Sequence, residues 1–380
     1  MSLVAAVAAA VGAAVDLNSA QAASYTYANV ADSTGPLSTQ LLDYGIGSTG
    51  QVAFTNMRDD GSYGLYRWNG TSLQTLAETS SAVPGWSTVL TSPAINGAGQ
   101  VSFFGVRINS PTEALGGIYR AETNGSFTPV AVVDAGQNTT GFRLGTDING
   151  SGLVAYQRRT GGVSRSIHTG NGTTEQTIYT VSDTDELGWL SVNSSGQVAI
   201  AGTVGGTPTL LRDATNITPA NFTGFRSPVL GDNGDITFAG TRSDGSRGVY
   251  RMTGATVTTL LDTVGDGFTS GFTQSTASND GDVAFTATSA TGGNGIYFLA
   301  AGADPSEAQR VIGVGDSLFG GTVSSFLLAP RSLNDGDQIV FHYGLSNGTR
   351  GLAVASVPEP TSLALLSLAT AAVIRRTRRT

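Results

Sequence analysis

One phrase returns along the chain and limits its fold more than any other feature. It reads GIGSTGQVAFT at 45–55, INGAGQVSFFG at 95–105, INGSGLVAYQR at 148–158, VNSSGQVAIAG at 192–202, LGDNGDITFAG at 230–240, SNDGDVAFTA at 278–287 and LNDGDQIVFHY at 333–343. Aligned on Gly50, Gly99, Gly152, Gly196, Gly234, Gly281 and Gly336, neighbouring copies lie 38 to 55 residues apart. Each opens on Asn, Asp, Ser or Gly, which tolerate positive φ, and continues into an alternating stretch such as Val283-Ala284-Phe285. The unit is a turn feeding a β-strand.

Most copies offer a second strand, as in GLYRW (64–68), GIYRA (117–121), GVYRM (248–252) and GIYFL (295–299). A third often follows, for example PVAVV at 129–133 or VTTLL at 257–261, and stretches such as GFTQSTAS at 271–278 leave room for a fourth. Three or four antiparallel strands per repeat of this length mark a propeller blade. One such sheet leaves both faces wet, whereas seven packed radially cover one another. The expected fold is therefore all-β, a seven-bladed β-propeller over residues 23–356. The segment SYTYANVAD at 24–32 is placed to donate a strand to the seventh blade. A β-solenoid would need shorter intervals and paired β-sandwiches less regular ones.

Composition agrees and closes several chemical routes. The 52 glycines and only 13% charged residues suit short strands and tight turns. Cysteine is absent, which excludes disulfides, thiolate metal sites and a thiol nucleophile. All 20 basic residues are arginine, so Schiff-base chemistry and a phosphate-loop lysine are excluded as well. Setting aside four arginines at the C-terminus and Asp16 near the N-terminus takes the formal charge from -8 to -11. A body this acidic, without a basic stripe, is repelled by phosphate backbones, so no nucleic-acid partner is expected.

The two ends read as addresses. An apolar run from Leu3 to Val15 leads to the small-x-small pattern Ala20-Gln21-Ala22, which predicts a signal peptide over 1–22. At the other end Val357-Pro358-Glu359-Pro360 precedes an uncharged segment, 361–374, and a basic tail, 375–380, carrying Arg375, Arg376, Arg378 and Arg379. The prolines break the preceding element, the oily segment forms a short transmembrane helix, and the arginines stay cytoplasmic. In order and position these three parts resemble the PEP-CTERM sorting signal of exopolysaccharide-producing bacteria. The resemblance implies recognition by an exosortase-type membrane enzyme, cleavage near Pro-Glu-Pro, and release or attachment at the cell surface or in the extracellular matrix. The repeats, above all 315–355, are similar to those of exported tandem-repeat propellers with an NxxGxVxF-type motif. That likeness implies surface display and brings no catalytic residues.

Candidate chemistry is sparse. Gly315-Asp316-Ser317-Leu318 matches the nucleophile block of GDSL esterases, but His342 and Asp337 lack the downstream spacing of that family's base. His168 and His342 are the only histidines; neither has a partner at metal-ligand spacing, and His168 stands where Tyr119 and Tyr250 stand in other copies. Asp232, Asn233 and Asp235, then Asn279, Asp280 and Asp282, then Asn334, Asp335 and Asp337 put oxygens where Ca²⁺ could bind, yet local Asx turns account for them. No cofactor is expected. Trp68, Trp86 and Trp189 could stack on sugars at a propeller mouth or pack between blades, and packing is expected for Trp68. The sequons at Asn69-Gly-Thr71 and Asn171-Gly-Thr173 carry no further implication. Together these readings predict an exported, monomeric, noncatalytic interaction or matrix protein. The alternative is a polysaccharide-binding lectin or polysaccharide-acting enzyme using the central mouth.

Overall fold

A computed structural model describes residues 25–35, 37–80, 85–110, 112–134, 140–142, 145–160 and 164–356. The signal segment 1–22 and the sorting segment 357–380 lie outside the described residues. The compact unit runs from Tyr27 to Ser356 and consists of seven antiparallel sheets.

Blade 1 shows the plan. Its strands Leu37–Ile46, Val52–Arg58, Tyr63–Trp68 and Leu73–Glu78 pair in chain order, inner to outer. The inner strands of blades 2 to 6 are Gly85–Ile95, the split pair Thr140–Phe142 and Asp147–Ile148, Glu186–Val192, Phe222–Leu230 and Phe268–Ala277. From blade 1 to blade 6 each inner strand touches the next, which places them around the axis. Blade 7 is assembled from both ends of the domain. Gly321–Leu327, Gln338–Leu345 and Arg350–Ser356 come from the C-terminal side, and Thr26–Asp32 adds the outer strand. The Ser33 amide donates to the Arg350 carbonyl at 2.8 Å and the Tyr343 hydroxyl to Asn29 Oδ1 at 3.2 Å. The N-terminal strand thus closes the ring.

The alternation within each second strand explains the stacking. In Val52-Ala53-Phe54 or Val283-Ala284-Phe285, successive side chains point to opposite faces and all are buried. The large face of one blade meets the small face of its predecessor: Phe103, Tyr119 and Trp86 pack on Ala53, Leu65 and Ala77, while Phe238 and Tyr250 pack on Ala199, Ala201 and Leu210. Cross-strand rings stack within a blade, as Phe54 does on Tyr66 at 5.2 Å. His168 takes the tyrosine place in blade 3, parallel to Tyr156 at 5.5 Å.

The repeated glycine holds the turn between first and second strands. Gly50, Gly99, Gly152, Gly196, Gly234 and Gly281 all have positive φ, between 80° and 96°. The seventh copy departs from the sequence alignment. Gly336 is not in that conformation; Asp337, φ 54°, occupies it. The side chains confirm the one-residue shift, because Asn334 bonds Gln338 at 3.0 Å as Asn96 bonds Gln100 at 2.9 Å. An aspartate can fill the place because its short polar side chain tolerates the left-handed region.

Candidate functional site

Among the described residues, two cavities lined by several blades differ in how their polar groups are used. The first is a mouth of about 330 Å³ touched by turn residues of all seven blades, from Gly47 and Asn96 round to Asn334. Asn96, Asn149, Asn193 and Asn334 are buried there, so each must find partners for both ends of its amide. The Oδ1 caps its own turn; Asn149 accepts from the Ser151 and Leu153 amides at 3.1 and 3.0 Å. The Nδ2 reaches forward to the matching carbonyl of the next blade. Asn96 donates to Asn149 O and Asn149 to Asn193 O, both at 3.0 Å, Asn193 to Gly231 O at 3.3 Å, and Asn334 to Gly47 O at 3.1 Å.

Where the asparagine is missing, a neighbour supplies the link. Thr49 Oγ1 donates to Gly97 O at 3.3 Å; at Gly47 itself a Cβ would lie 2.8 Å from Asn96 O, so only glycine fits. Asp232 N donates to Asn279 Oδ1 at 3.1 Å, and Asn279 donates through N and Nδ2 to the Asp335 carboxylate at 2.7 and 3.2 Å. A circuit of hydrogen bonds therefore passes through all seven turns. Arginines of the YR pairs reinforce it. Arg67 donates to Gly99 O, Arg120 to Gly152 O at 2.6 Å and Arg251 to Gly281 O, each on the following blade.

Inside the channel Arg331 of blade 7 crosses to Asp147 of blade 3, Nε to Oδ1 at 2.9 Å, and Asp147 Oδ2 accepts from the Val192 amide at 2.8 Å. The Arg331 guanidinium also lies 5.9 Å from the centre of the Trp189 ring. Asp147 lines the turn-side mouth and Trp189 the second opening, so this pair sits between them.

The second opening is a groove of about 580 Å³ formed by blades 4, 5 and 6. Trp189, Phe225, Arg226, Arg247 and Glu186 line it together with small and hydroxylated residues. The strand register slips beside it, between Leu187 and Leu190, Arg226 and Val229, and Gly271 and Ser275. Such bulges re-aim side chains. Ser227 and Phe272 take φ of 48° and 55° there, and Ser227 Oγ donates to Gln274 Oε1 of the next blade at 2.8 Å.

The residues singled out from sequence divide between structure and site. Trp68 and Trp86 are core residues, Trp86 amid Phe103, Tyr119 and Phe127, and Trp189 alone of the three lines the groove. His168 Nε2 bonds Ser166 Oγ at 2.7 Å and its Nδ1 lies 3.1 Å from Glu175; burial lowers its pKa against the pull of that carboxylate. Burial pushes His342 down to about 4. Ser317 and His342 pair with Thr322 and Leu327, at opposite ends of one strand, and Asp316 holds Arg310 and the Gly313 amide. The GDSL string is a turn at Gly315 that leads into the two-residue strand Ser317–Leu318. Asn69 and Asn171 accept from the amides two and three residues on, as Asx turns do. Of the acidic turns, Asp232, Asn279 and Asp335 form blade-to-blade links; Asn233 Oδ1 accepts from the Asp235 amide at 2.9 Å, and Asp282 accepts from Ala301 N at 2.8 Å. Among the described residues no group of three His, Asp or Glu is placed to hold a metal. Sequence reasoning missed Arg226, Arg247 and the Arg331–Asp147 pair. The signal that could have found the first is an arginine on an inner strand, in GFRSP, where every side chain stands near the axis.

Comparison with known proteins gives one family match: the PEP-CTERM protein-sorting motif, over residues 356–379. No curated protein matches the chain. Among solved structures, a chain of a mitotic checkpoint complex is similar at 13% identity, over 88% of this chain and 91% of that one, with a TM-score of 0.47. AofleA from Arthrobotrys oligospora is similar at 11% identity, covering 88% and 86%, TM-score 0.38, and the Aleuria aurantia lectin at 13%, covering 60% and 78%, TM-score 0.34. The chain thus carries a PEP-CTERM sorting motif on a seven-bladed propeller, and the motif marks an exported, surface-sorted substrate of an exosortase.

Proposed function

We propose that this exported propeller works by binding, as a noncatalytic interaction or matrix protein. The observation that carries the reading is where its carboxylates are. Hydrolysis of a glycosidic bond by the usual route needs two acids facing each other across the bond, about 5 to 9.5 Å apart. Among the described residues the groove has one carboxylate, Glu186, and at the turn-side mouth Asp147 and Asp232 accept amide hydrogens while Asp335 receives both donors of Asn279. The oxygens of these acids are taken up by the protein's own donors. The mouth offers small polar surface and the groove offers Trp189.

Trp189 favours one particular kind of partner, extracellular polysaccharide, because an aromatic face beside hydroxyl-bearing side chains suits a sugar ring. No metal or cofactor is part of this reading. The test is to incubate the full chain, purified in mild detergent, with a panel of extracellular polysaccharides while following both retention and reducing ends. Retention without new reducing ends is expected. Release of reducing ends would replace binding with catalysis.

A further inference from the structure

The groove on blades 4 to 6 carries two arginines, Arg226 and Arg247, against one carboxylate, Glu186. The chain is acidic, and arginines that touch carboxylates elsewhere on it do so in pairs, such as Arg58 with Glu78, Arg159 with Asp183 and Arg310 with Asp316. Arg226 and Arg247 share one cavity. Both line the groove, both are exposed, and neither has an ion-pair partner among the described residues. Arg226 stands on the inner strand of blade 5, and Arg247 opens that blade's third strand, Arg247–Thr253, paired with Thr241. One sheet therefore presents two guanidinium groups to one cavity.

The surroundings are built rather than incidental. Ser227, next to Arg226, is almost fully buried, holds a left-handed conformation that a non-glycine residue adopts at a cost, and bonds Gln274 across the seam. Phe272 holds the equivalent conformation in blade 6 and is buried against Phe268 and Phe285. These two bulges fix the seam from which the groove opens. Aromatic surface on Trp189 and Phe225 can cover the apolar face of a sugar, hydroxyl groups of Thr223, Thr241 and Thr273 can meet its alcohols, and guanidinium forks match carboxylate or sulfate oxygens. A volume of about 580 Å³ lies within the range of ligand sites.

We propose that this groove binds an anionic polysaccharide segment, its acidic substituents held by Arg226 and Arg247 and a sugar face laid on Trp189. The inference rests on the binding function proposed above and adds the charge class of the ligand. It is tested by retention of the full chain on immobilised polygalacturonate, dextran sulfate and neutral dextran, each at low and high salt. Retention on at least one acidic polymer, about tenfold or more stronger than on neutral dextran and weakened by salt, is expected. The Arg226→Gln/Arg247→Gln double variant should lose about tenfold, whereas Arg350→Gln, an exposed arginine of blade 7, should lose nothing. The two acidic polymers distinguish carboxylate from sulfate recognition, and retention on either supports the site. Should the double variant fold poorly, tryptophan fluorescence of the unmutated chain supplies the readout: acidic oligosaccharides change it, and Trp189→Phe abolishes the change. Equal retention on neutral and acidic polymers, or a double variant that binds as well as the parent, overturns the charge assignment and leaves the binding function standing. Absence of retention on every polymer overturns both.

Discussion

The two ends of the channel are made from the same repeat and treat their polar atoms in opposite ways. At the turn-side mouth, buried asparagines spend both ends of each amide, and arginines of the YR pairs are absorbed by the next blade's turn. At the groove, two arginines stand without an ion-pair partner among the described residues and two non-glycine residues hold left-handed backbone. A satisfied polar network fixes structure, while uncommitted charge on a strained, rigid frame is available to a ligand. The contrast assigns stability to one end and recognition to the other.

The largest effect that could blur this division comes from the seams both ends share. Phe103 is fully buried against blade 1, so Phe103→Ala should cost about 3–5 kcal/mol in denaturant unfolding. A loss under about 1 kcal/mol would mean that the blades do not depend on the large-on-small packing. Next comes the ring itself. Asn149→Ala removes a forward link and two turn caps, leaves the Asn193 carbonyl with the Gly196 amide alone, and should cost about 1–3 kcal/mol with retention on polysaccharide unchanged.

A third test uses pH at the seam of blades 6 and 7. Burial, then the Asp282 carboxylate, raises Asp337 to about 6. A raised carboxyl binds its proton more tightly in the folded state, so its stabilising contribution is present below about pH 4 and is lost as pH rises through 6. Melting temperature should fall across that window, and Asp337→Asn, which keeps a residue suited to left-handed backbone, should flatten the slope. The smallest expected effect is on the other side of the comparison. Arg226→Gln and Arg247→Gln should each shift stability by no more than about 0.5 kcal/mol, as surface substitutions do; a larger loss would make the groove part of the scaffold.

Much of the scaffold was legible because it is local and repeated. Each turn, the strand after it and the place of His168 can be read within ten or so residues, and the closing strand Thr26–Asp32 follows from the count of blades. Asp337 was misread as following the key position because glycine, the commoner left-handed residue, stands one place earlier. The arginines of YRW, YRA and YRM were visible in three copies, but their partners lie about thirty positions on, in the next blade's turn. The groove was hidden for a stronger reason. Trp189, Arg226 and Phe272 come from three blades at positions where the repeats disagree, and the bulges that aim them leave no residue-type mark. Arg331 and Asp147 are 184 positions apart and meet only because the ring closes.

The most direct measurement is a paired one on the full chain: melting temperature and retention on polygalacturonate and dextran sulfate for Asn149→Ala and for Arg226→Gln/Arg247→Gln, side by side. Division of labour predicts a lower melting temperature with intact retention for the first variant, and an unchanged melting temperature with lost retention for the second. If the asparagine variant melts like its parent, or the arginine variant melts early or still binds, the two ends do not have separate roles.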